Sequence, residues 1–171
     1  MRHGLSRLKK ICKYASTVMT VAGWILAVFV IITVCLGIAS SFSDDAFNMM
    51  IDWIGHGEDE SMKILTAAAL ENILIFSMGS ITVITIGKVM QSISKEDSPF
   101  TEKNADRMRM ISIIYLISAF LLLILGYFMN RGLAGTAFLF LGSLLVSVVM
   151  YCIALMCQYG SLLQKESDET L

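Results

Sequence analysis

The sequence predicts an all-α membrane protein: a bundle of four transmembrane helices with one short amphipathic outer helix, in a single membrane domain covering residues 1–171. Composition is the first reason, since 56% of the residues are hydrophobic and only 16% are charged, whereas about a quarter of a soluble domain is charged. The second is that the apolar residues form four long blocks. The third is the single proline with uninterrupted apolar runs, which favours helices over the alternating strands of a membrane barrel.

Four stretches without charge, apart from Glu71 in the second, define the predicted spans. Each is long enough to cross the hydrocarbon core, which takes about 20 residues. The first follows a basic start, but its uncharged run of 30 residues far exceeds the roughly 7–15 apolar residues of a signal peptide. We therefore expect a retained helix there. The predicted spans are about residues 15–41, 64–87, 110–129 and 136–158.

The distribution of basic residues predicts the orientation, although the net charge of −1 indicates no particular partner. Eleven of the thirteen Lys and Arg residues lie in the N-terminal segment, the middle connection with its flanks, or the C-terminal tail. Because basic loops stay on the cytoplasmic side, we expect both termini and loop 88–109 in the cytoplasm. The protein would then be a multi-pass protein of the cell membrane.

The connection between the first two spans, from Ser43 to about Met62, predicts a short amphipathic helix. Phe47, Met50, Ile51 and Ile54 recur at helical spacing on one face, and Ser43 or Asp44 before them is the candidate cap. We expect this helix to lie on the outer surface, with a lid or a partner-docking element as the alternative. The acidic residues of the connection lack the ordered ligand spacing of a cation site, so we expect no metal there.

Polar residues inside the second span form a candidate intramembrane site. Glu71 and Asn72 interrupt the apolar run, and Thr82 shares the stripe of Glu71. Ionisable residues within a membrane are costly and often functional, but polar groups also hold helices together by hydrogen bonds. Arg131, in the other outer loop, is the expected partner of Glu71. Interhelical bonding, a ligand or ion pocket, and an exposed Glu71 that snorkels to the membrane surface all remain open.

The middle connection, "SPFTEKNADRMRM" at residues 98–110, holds the only proline. Pro99 ends one helix or starts the next, and Ser98 or Thr101 supplies the cap. We expect the second and third helices to extend into this connection, and the fourth to continue through "CQYGSLLQ" into an acidic tail. The segment is either a solvated elbow or a docking surface, and the tail is expected to pair with the basic loop.

Motifs of catalysis are missing from the sequence. It contains no Gly-rich phosphate loop, nucleophile elbow, zinc helix motif or paired cysteine motif. The two histidines are predicted on opposite sides of the membrane, and the four cysteines are expected to be small apolar fillers. We therefore expect no enzyme activity, cofactor or metal, and no direct contact with nucleic acid.

Two segments, "SPFTEKNADRMRMIS" and "YGSLLQKESDETL", resemble the prokaryotic domain-of-unknown-function family two-nine-seven-five, whose members are small four-helix membrane proteins. Met108 stands where the family often has leucine. The family has no established activity, and its members are often encoded beside a small helix-turn-helix regulator. The resemblance implies a membrane protein whose two family segments face the cytosol. The matching positions are Pro99, Phe100, Asn104, Arg107, Arg109, Ile111, Tyr159, Gly160, Leu163, Gln164, Glu166, Asp168 and Thr170.

Three functions fit these observations. The first is a regulatory membrane protein that docks a small cytosolic DNA-binding partner through loop 95–110 and the C-terminal tail. The second is a small transporter or channel component with a polar pocket at Glu71 and Asn72, and the third is a structural or stress-response subunit of a larger complex. The lipid bilayer is the expected partner of the spans, and the sequence leaves open whether the chain forms a homo-oligomer. The candidate docking residues are Pro99, Phe100, Asn104, Arg107, Arg109, Gln164, Glu166, Asp168 and Thr170.

Overall fold

A computed structural model describes residues 2–54, 62–95, 98–129 and 133–169, and their side chains except those of residues 2–6 and 168. All regular structure in these ranges is α-helical, which confirms the predicted fold class. Five helices follow one another: α1 (Arg2–Ala39), α2 (Asp44–Ile54), α3 (Met62–Lys95), α4 (Glu102–Phe128) and α5 (Leu133–Glu169).

Four of the five helices, α1, α3, α4 and α5, are long and apolar enough to cross a membrane. They contain the four predicted spans, except that α1 ends at Ala39 and α4 at Phe128, one or two residues early. By length and composition these are the helices of a multi-pass membrane protein. The 37 residues of α5 extend about 55 Å at roughly 1.5 Å per residue. Because the hydrocarbon core is about 30 Å thick, α5 is several turns longer than one perpendicular crossing requires, which is the length that the predicted extension needs.

The four long helices pack as an open row in the order of the chain. α1 packs along α3, α3 against α4, and α4 along α5. Within the described ranges the backbone of α1 does not come close to that of α4 or α5, nor the backbone of α3 to that of α5. Each neighbouring pair is antiparallel, as the contacts of Gly87 with Thr20, Arg107 with Lys88 and Arg109 with Gln158 show. The described residues of 7–13, 88–95, 98–109 and 158–169 therefore all lie at one end, which we call the basic end.

Small residues bring α1 and α3 close together. Ser80 Oγ donates a hydrogen bond to the Gly23 carbonyl at 2.8 Å. A Cβ atom at Gly87 would lie 3.1 Å from Thr20 Oγ1 and 3.3 Å from the Ser16 carbonyl oxygen. Since lipid is as apolar as the side chains, close packing and interhelical hydrogen bonds are what hold such helices together.

A similar contact joins α4 and α5. Ser147 Oγ donates to the Ser112 carbonyl at 2.8 Å, and both residues are buried. Towards the basic end, Met108, Ile111 and Ala154 form a small apolar cluster. The second helix pair therefore has its own polar and apolar contacts.

The predicted amphipathic helix is confirmed as α2, and its apolar face packs on the protein. Met50 and Ile51 are buried in a cluster with Leu65 and Ala69 of α3. Trp53 Nε1 also donates to Thr33 Oγ1 of α1 at 3.0 Å. These contacts fix α2 across the ends of α1 and α3 opposite the basic end.

Candidate functional site

The predicted intramembrane site is only partly assembled. Glu71 is buried, with 5% of its surface exposed, and Asn72 beside it is half-buried. Thr82 lies eleven residues further along α3, about 16 Å at roughly 1.5 Å per residue, and its Oγ1 donates to the Tyr115 hydroxyl at 3.4 Å. Arg131 lies outside the described residues. The structure thus brings Glu71 and Asn72 together and leaves Thr82 on the contact between α3 and α4.

The helical stripe of Glu71 and Thr82 also contains Ile75, Met78 and Thr85, and it is buried at every second position only. Met78 and Thr85, seven and fourteen residues on, are buried like Glu71. Ile75, between them, is 39% exposed. The hydrogen bond between Thr82 and Tyr115 had a signal in the sequence that the prediction missed, because a tyrosine within an apolar span usually finds a partner for its hydroxyl.

Most of the candidate docking residues converge at the basic end. Six of the nine make described contacts within the chain, and Glu166 is exposed on the last turns of α5. Asp168 lies in the same turns, while its side chain and all of Thr170 lie outside the described residues. The six residues in contact are Pro99, Phe100, Asn104, Arg107, Arg109 and Gln164.

The start of α4 is organised by a buried asparagine. Thr101 caps the helix, its hydroxyl oxygen accepting from the Asn104 backbone N–H at 3.2 Å. Asn104 is fully buried. Its Nδ2 donates to the Pro99 carbonyl at 3.1 Å, and its Oδ1 accepts from Arg107 at 3.0 Å. Arg107 also donates to the Lys88 carbonyl at 3.2 Å, so these bonds connect the end of α3 to the start of α4.

Residues 98–109 also bind the projecting part of α5, residues 158–169, which we call the α5 extension. The Gln164 amide donates to Ser98 Oγ at 2.6 Å, and that hydroxyl also lies 2.9 Å from Gln164 Oε1. Ser98 Oγ accepts in addition from the Phe100 backbone N–H at 3.1 Å. The Phe100 ring lies against Gly160. We call this set of contacts between residues 98–109 and the α5 extension the clasp.

Charged side chains complete the clasp. Lys165 Nζ lies 2.6 Å from Glu102 Oε1, and Arg109 donates to Gln158 Oε1 at 3.0 Å. The Lys165 ammonium lowers the pKa of Glu102 below its usual 4.5, by a hydrogen bond and by charge. Glu102 in turn raises the pKa of Lys165 above 10.5. The tail therefore contacts the middle segment, as expected. The charges of this ion pair are the reverse of those expected, because the tail contributes the basic residue Lys165 and the middle segment contributes the acidic residue Glu102.

A small cleft lies beside the clasp, between α4 and the α5 extension. Its volume is about 170 Å³ and its lining is mostly polar. Exposed apolar side chains occur at the same end of the bundle, namely Phe100, Tyr159 and Leu163. Exposed apolar groups rimmed by charge are typical of protein contact surfaces. The cleft is lined by Glu102, Ala105, Asp106, Arg109, Gln158, Ser161 and Leu162.

The described residues form neither a metal site nor a disulfide. No three His, Cys, Asp or Glu side chains of this part of the chain stand close enough to hold a metal ion. The cysteines carry free thiols, and only Cys12 is buried.

No family model, curated protein or solved structure matches the chain.

Proposed function

We propose that this chain is a regulatory protein of the cell membrane that holds a small cytosolic DNA-binding partner at its basic end. The observation that carries the proposal is the clasp. It fixes residues 98–109 against the α5 extension through Ser98, Phe100 and Glu102 on one side and Gln164 and Lys165 on the other. A loop ordered in this way presents a defined surface, so a partner binds it without paying to order the loop.

The orientation of this surface follows from charge. Eleven of the thirteen basic residues belong to the segments that meet at the basic end. Because Lys and Arg near the spans stay on the cytoplasmic side, the basic end, with both termini, faces the cytosol in this proposal. A DNA-binding partner is available only on that side.

The surface itself has the composition of a docking site. Phe100 and Leu163 are 42% and 48% exposed, and Tyr159 is 65% exposed. Glu102 and Lys165 form an exposed charged pair at the same end of the bundle. Aromatic anchors inside a polar rim are the usual arrangement of residues that dominate binding energy. The identity of the partner as a small helix-turn-helix protein rests on the resemblance to the membrane family described above.

The test is recovery of the partner from cells in a mild detergent, with mass spectrometry of the proteins that copurify with the tagged full chain. We expect a small DNA-binding protein, lost when Phe100 and Leu163 are both replaced by Ala. The matched control is Leu8→Ala, an apolar side chain 52% exposed on α1 near the same end. Removal of residues 164–171 should also release the partner, although it removes the Gln164 and Lys165 contacts of the clasp as well.

Two results would overturn the docking proposal. One is a preparation that contains no DNA-binding protein. The other is a partner that the Phe100→Ala/Leu163→Ala variant and the Leu8→Ala variant retain equally. Binding would then not involve the exposed side chains of Phe100 and Leu163.

A small transporter or channel component is the second candidate, favoured by the burial of Glu71 in an apolar helix. A carboxyl group at that depth is costly and often serves ion or substrate passage. Glu71→Gln keeps the shape and removes the charge, so it should reduce flux into vesicles that contain the purified chain. Unchanged flux in a stably folded variant would leave Glu71 with a structural role between helices.

A further inference from the structure

A second polar cavity lies at the basic end, on the other helix pair and away from the clasp. Its volume is about 290 Å³, and it opens between α1 and α3. Two lysines and four hydroxyl or amide side chains line it, and no acidic residue of the described ranges does. The lining residues are Lys13, Ser16, Thr17, Gln91, Ser94 and Lys95.

Most polar side chains of this cavity are not bonded to another described residue. Thr17 donates to the Lys13 carbonyl at 3.2 Å. No described side-chain hydrogen bond or ion pair engages Lys13, Gln91 or Lys95 in the part of the chain that the structure describes. Two ammonium groups with amide and hydroxyl donors between them suit an anion with several acceptor oxygens, and lysine is a common ligand of phosphate.

The position of the cavity favours an amphiphilic anion. Lys13 is the last charged residue before the uncharged run of α1, so the cavity stands at the depth of lipid headgroups. Val21 and Trp24 follow Thr17 at i+4 and i+7 on the same stripe of α1, and they are 55% and 64% exposed. A cationic cavity thus continues into an exposed apolar stripe, which matches a phosphate headgroup with an acyl chain below it.

We propose that the cavity between α1 and α3 binds the phosphate of an anionic phospholipid, with Lys13 and Lys95 as the charged ligands. Basic pockets between transmembrane helices bind such headgroups in general. The lipid would bridge α1 and α3 at the basic end, beyond the close contact at Gly87. This site shares no residue with the clasp, so it does not depend on the docking function.

The experiment uses the full chain, purified in a mild detergent and stripped of lipid, and counts bound lipids by native mass spectrometry. The probes are phosphatidylglycerol, phosphatidylcholine and inorganic phosphate. Lys13→Gln/Lys95→Gln should weaken binding of phosphatidylglycerol about twenty-five-fold, since each lysine near a charged headgroup contributes about fivefold. Lys103→Gln is the matched control, an exposed lysine of α4 at the same end, and should leave binding unchanged.

Gln91→Glu is a second variant that keeps both lysines. It places a carboxylate in the cavity at nearly constant size, so it should also weaken binding of phosphatidylglycerol if the double variant fails to fold. Preferential binding of phosphatidylglycerol over phosphatidylcholine, lost in these variants alone, supports the proposal. Displacement of the lipid by millimolar inorganic phosphate would support a phosphate site and overturn the lipid as its occupant. Equal losses in Lys103→Gln, or no loss in the cavity variants, would overturn the site.

Discussion

The ring of Phe100 lies against the backbone of Gly160, where a Cβ atom would stand only 2.6 Å from Phe100 Cγ and 3.0 Å from its Cβ. Those atoms belong to the rigid base of the side chain, so the ring would have to leave its place to admit any other residue at position 160. This contact joins the loop before α4 to the extension of α5, two segments sixty residues apart in the chain.

Gly160→Leu should therefore open the clasp. Leucine is the better helix former by about 0.5–1 kcal/mol, so a loss of stability would report the clash with Phe100. We expect faster hydrogen exchange in residues 98–104 and a lower unfolding temperature. The control is Gly142→Leu on the same helix, where no atom lies within 4 Å of an added Cβ. Equal exchange of residues 98–104 in the two variants would contradict the close contact.

Asn104→Ala should destabilise the basic end. Asn104 is fully buried, and its removal leaves the Pro99 carbonyl without its described partner and takes from the Arg107 guanidinium one of its two described bonds. Loss of buried hydrogen-bonding partners costs about 1–3 kcal/mol, measurable by denaturant unfolding in detergent. Asn48→Ala, at an exposed position of α2, should change the unfolding free energy little. A similar small effect at Asn104 would show that water replaces its contacts.

The ion pair of the clasp should depend on pH at both extremes. The pKa of Glu102 is lowered, so its contribution to stability is present above pH 4.5 and is lost as pH falls through the lowered pKa. The pKa of Lys165 is raised, so its contribution is present below pH 10.5 and is lost as pH rises through the raised pKa. Both groups are exposed, so we expect a small effect that salt screens.

Hydrogen exchange of residues 98–104 across this pH range, corrected for intrinsic exchange rates, measures the effect. Lys165→Gln should remove the difference between acidic and neutral pH, whereas Lys63→Gln, at the opposite end of the bundle, should retain it. An unchanged pH profile in Lys165→Gln would assign the dependence to another group.

Trp53→Phe should loosen α2. The substitution removes the indole N–H that bonds Thr33 Oγ1, while Thr33 keeps its own bond to the Phe29 carbonyl at 2.9 Å. One net hydrogen bond is worth about 1 kcal/mol, so residues 44–54 should exchange hydrogen faster. Trp24→Phe, at a position exposed along α1, is the control and should leave that exchange as it is. Equal protection of α2 in both variants would show that the apolar contacts of Met50 and Ile51 hold it alone.

The helices were predictable because their signals are local. Long uncharged runs specify spans, and the spacing of Phe47, Met50, Ile51 and Ile54 specifies a helical face. Ser98 and Thr101 were the two expected caps, one before and one after Pro99, and Thr101 is the residue that caps α4. Each of these features depends on residues within a few positions of one another.

The clasp was less predictable because it depends on distant residues. Nothing near Gly160 indicates that a ring from position 100 will cover it, and the pairing of Lys165 with Glu102 opposes the overall charge of the two segments. The sequence could group Asn104, Arg107 and Ile111 on one helical face. Predicting that this face is buried against α3 and α5 would have required knowledge of the order in which the helices pack.

The open row of helices also bears on how the protein is made. Apart from the short α2, each long helix packs on the long helix synthesised just before it, α3 on α1, α4 on α3 and α5 on α4. Each long helix after α1 therefore meets a long partner that has already been synthesised. A chain stalled after Lys95 already contains both partners of the α1–α3 contact, with Ser80 and Gly23 in place to bond before the second hairpin enters the membrane.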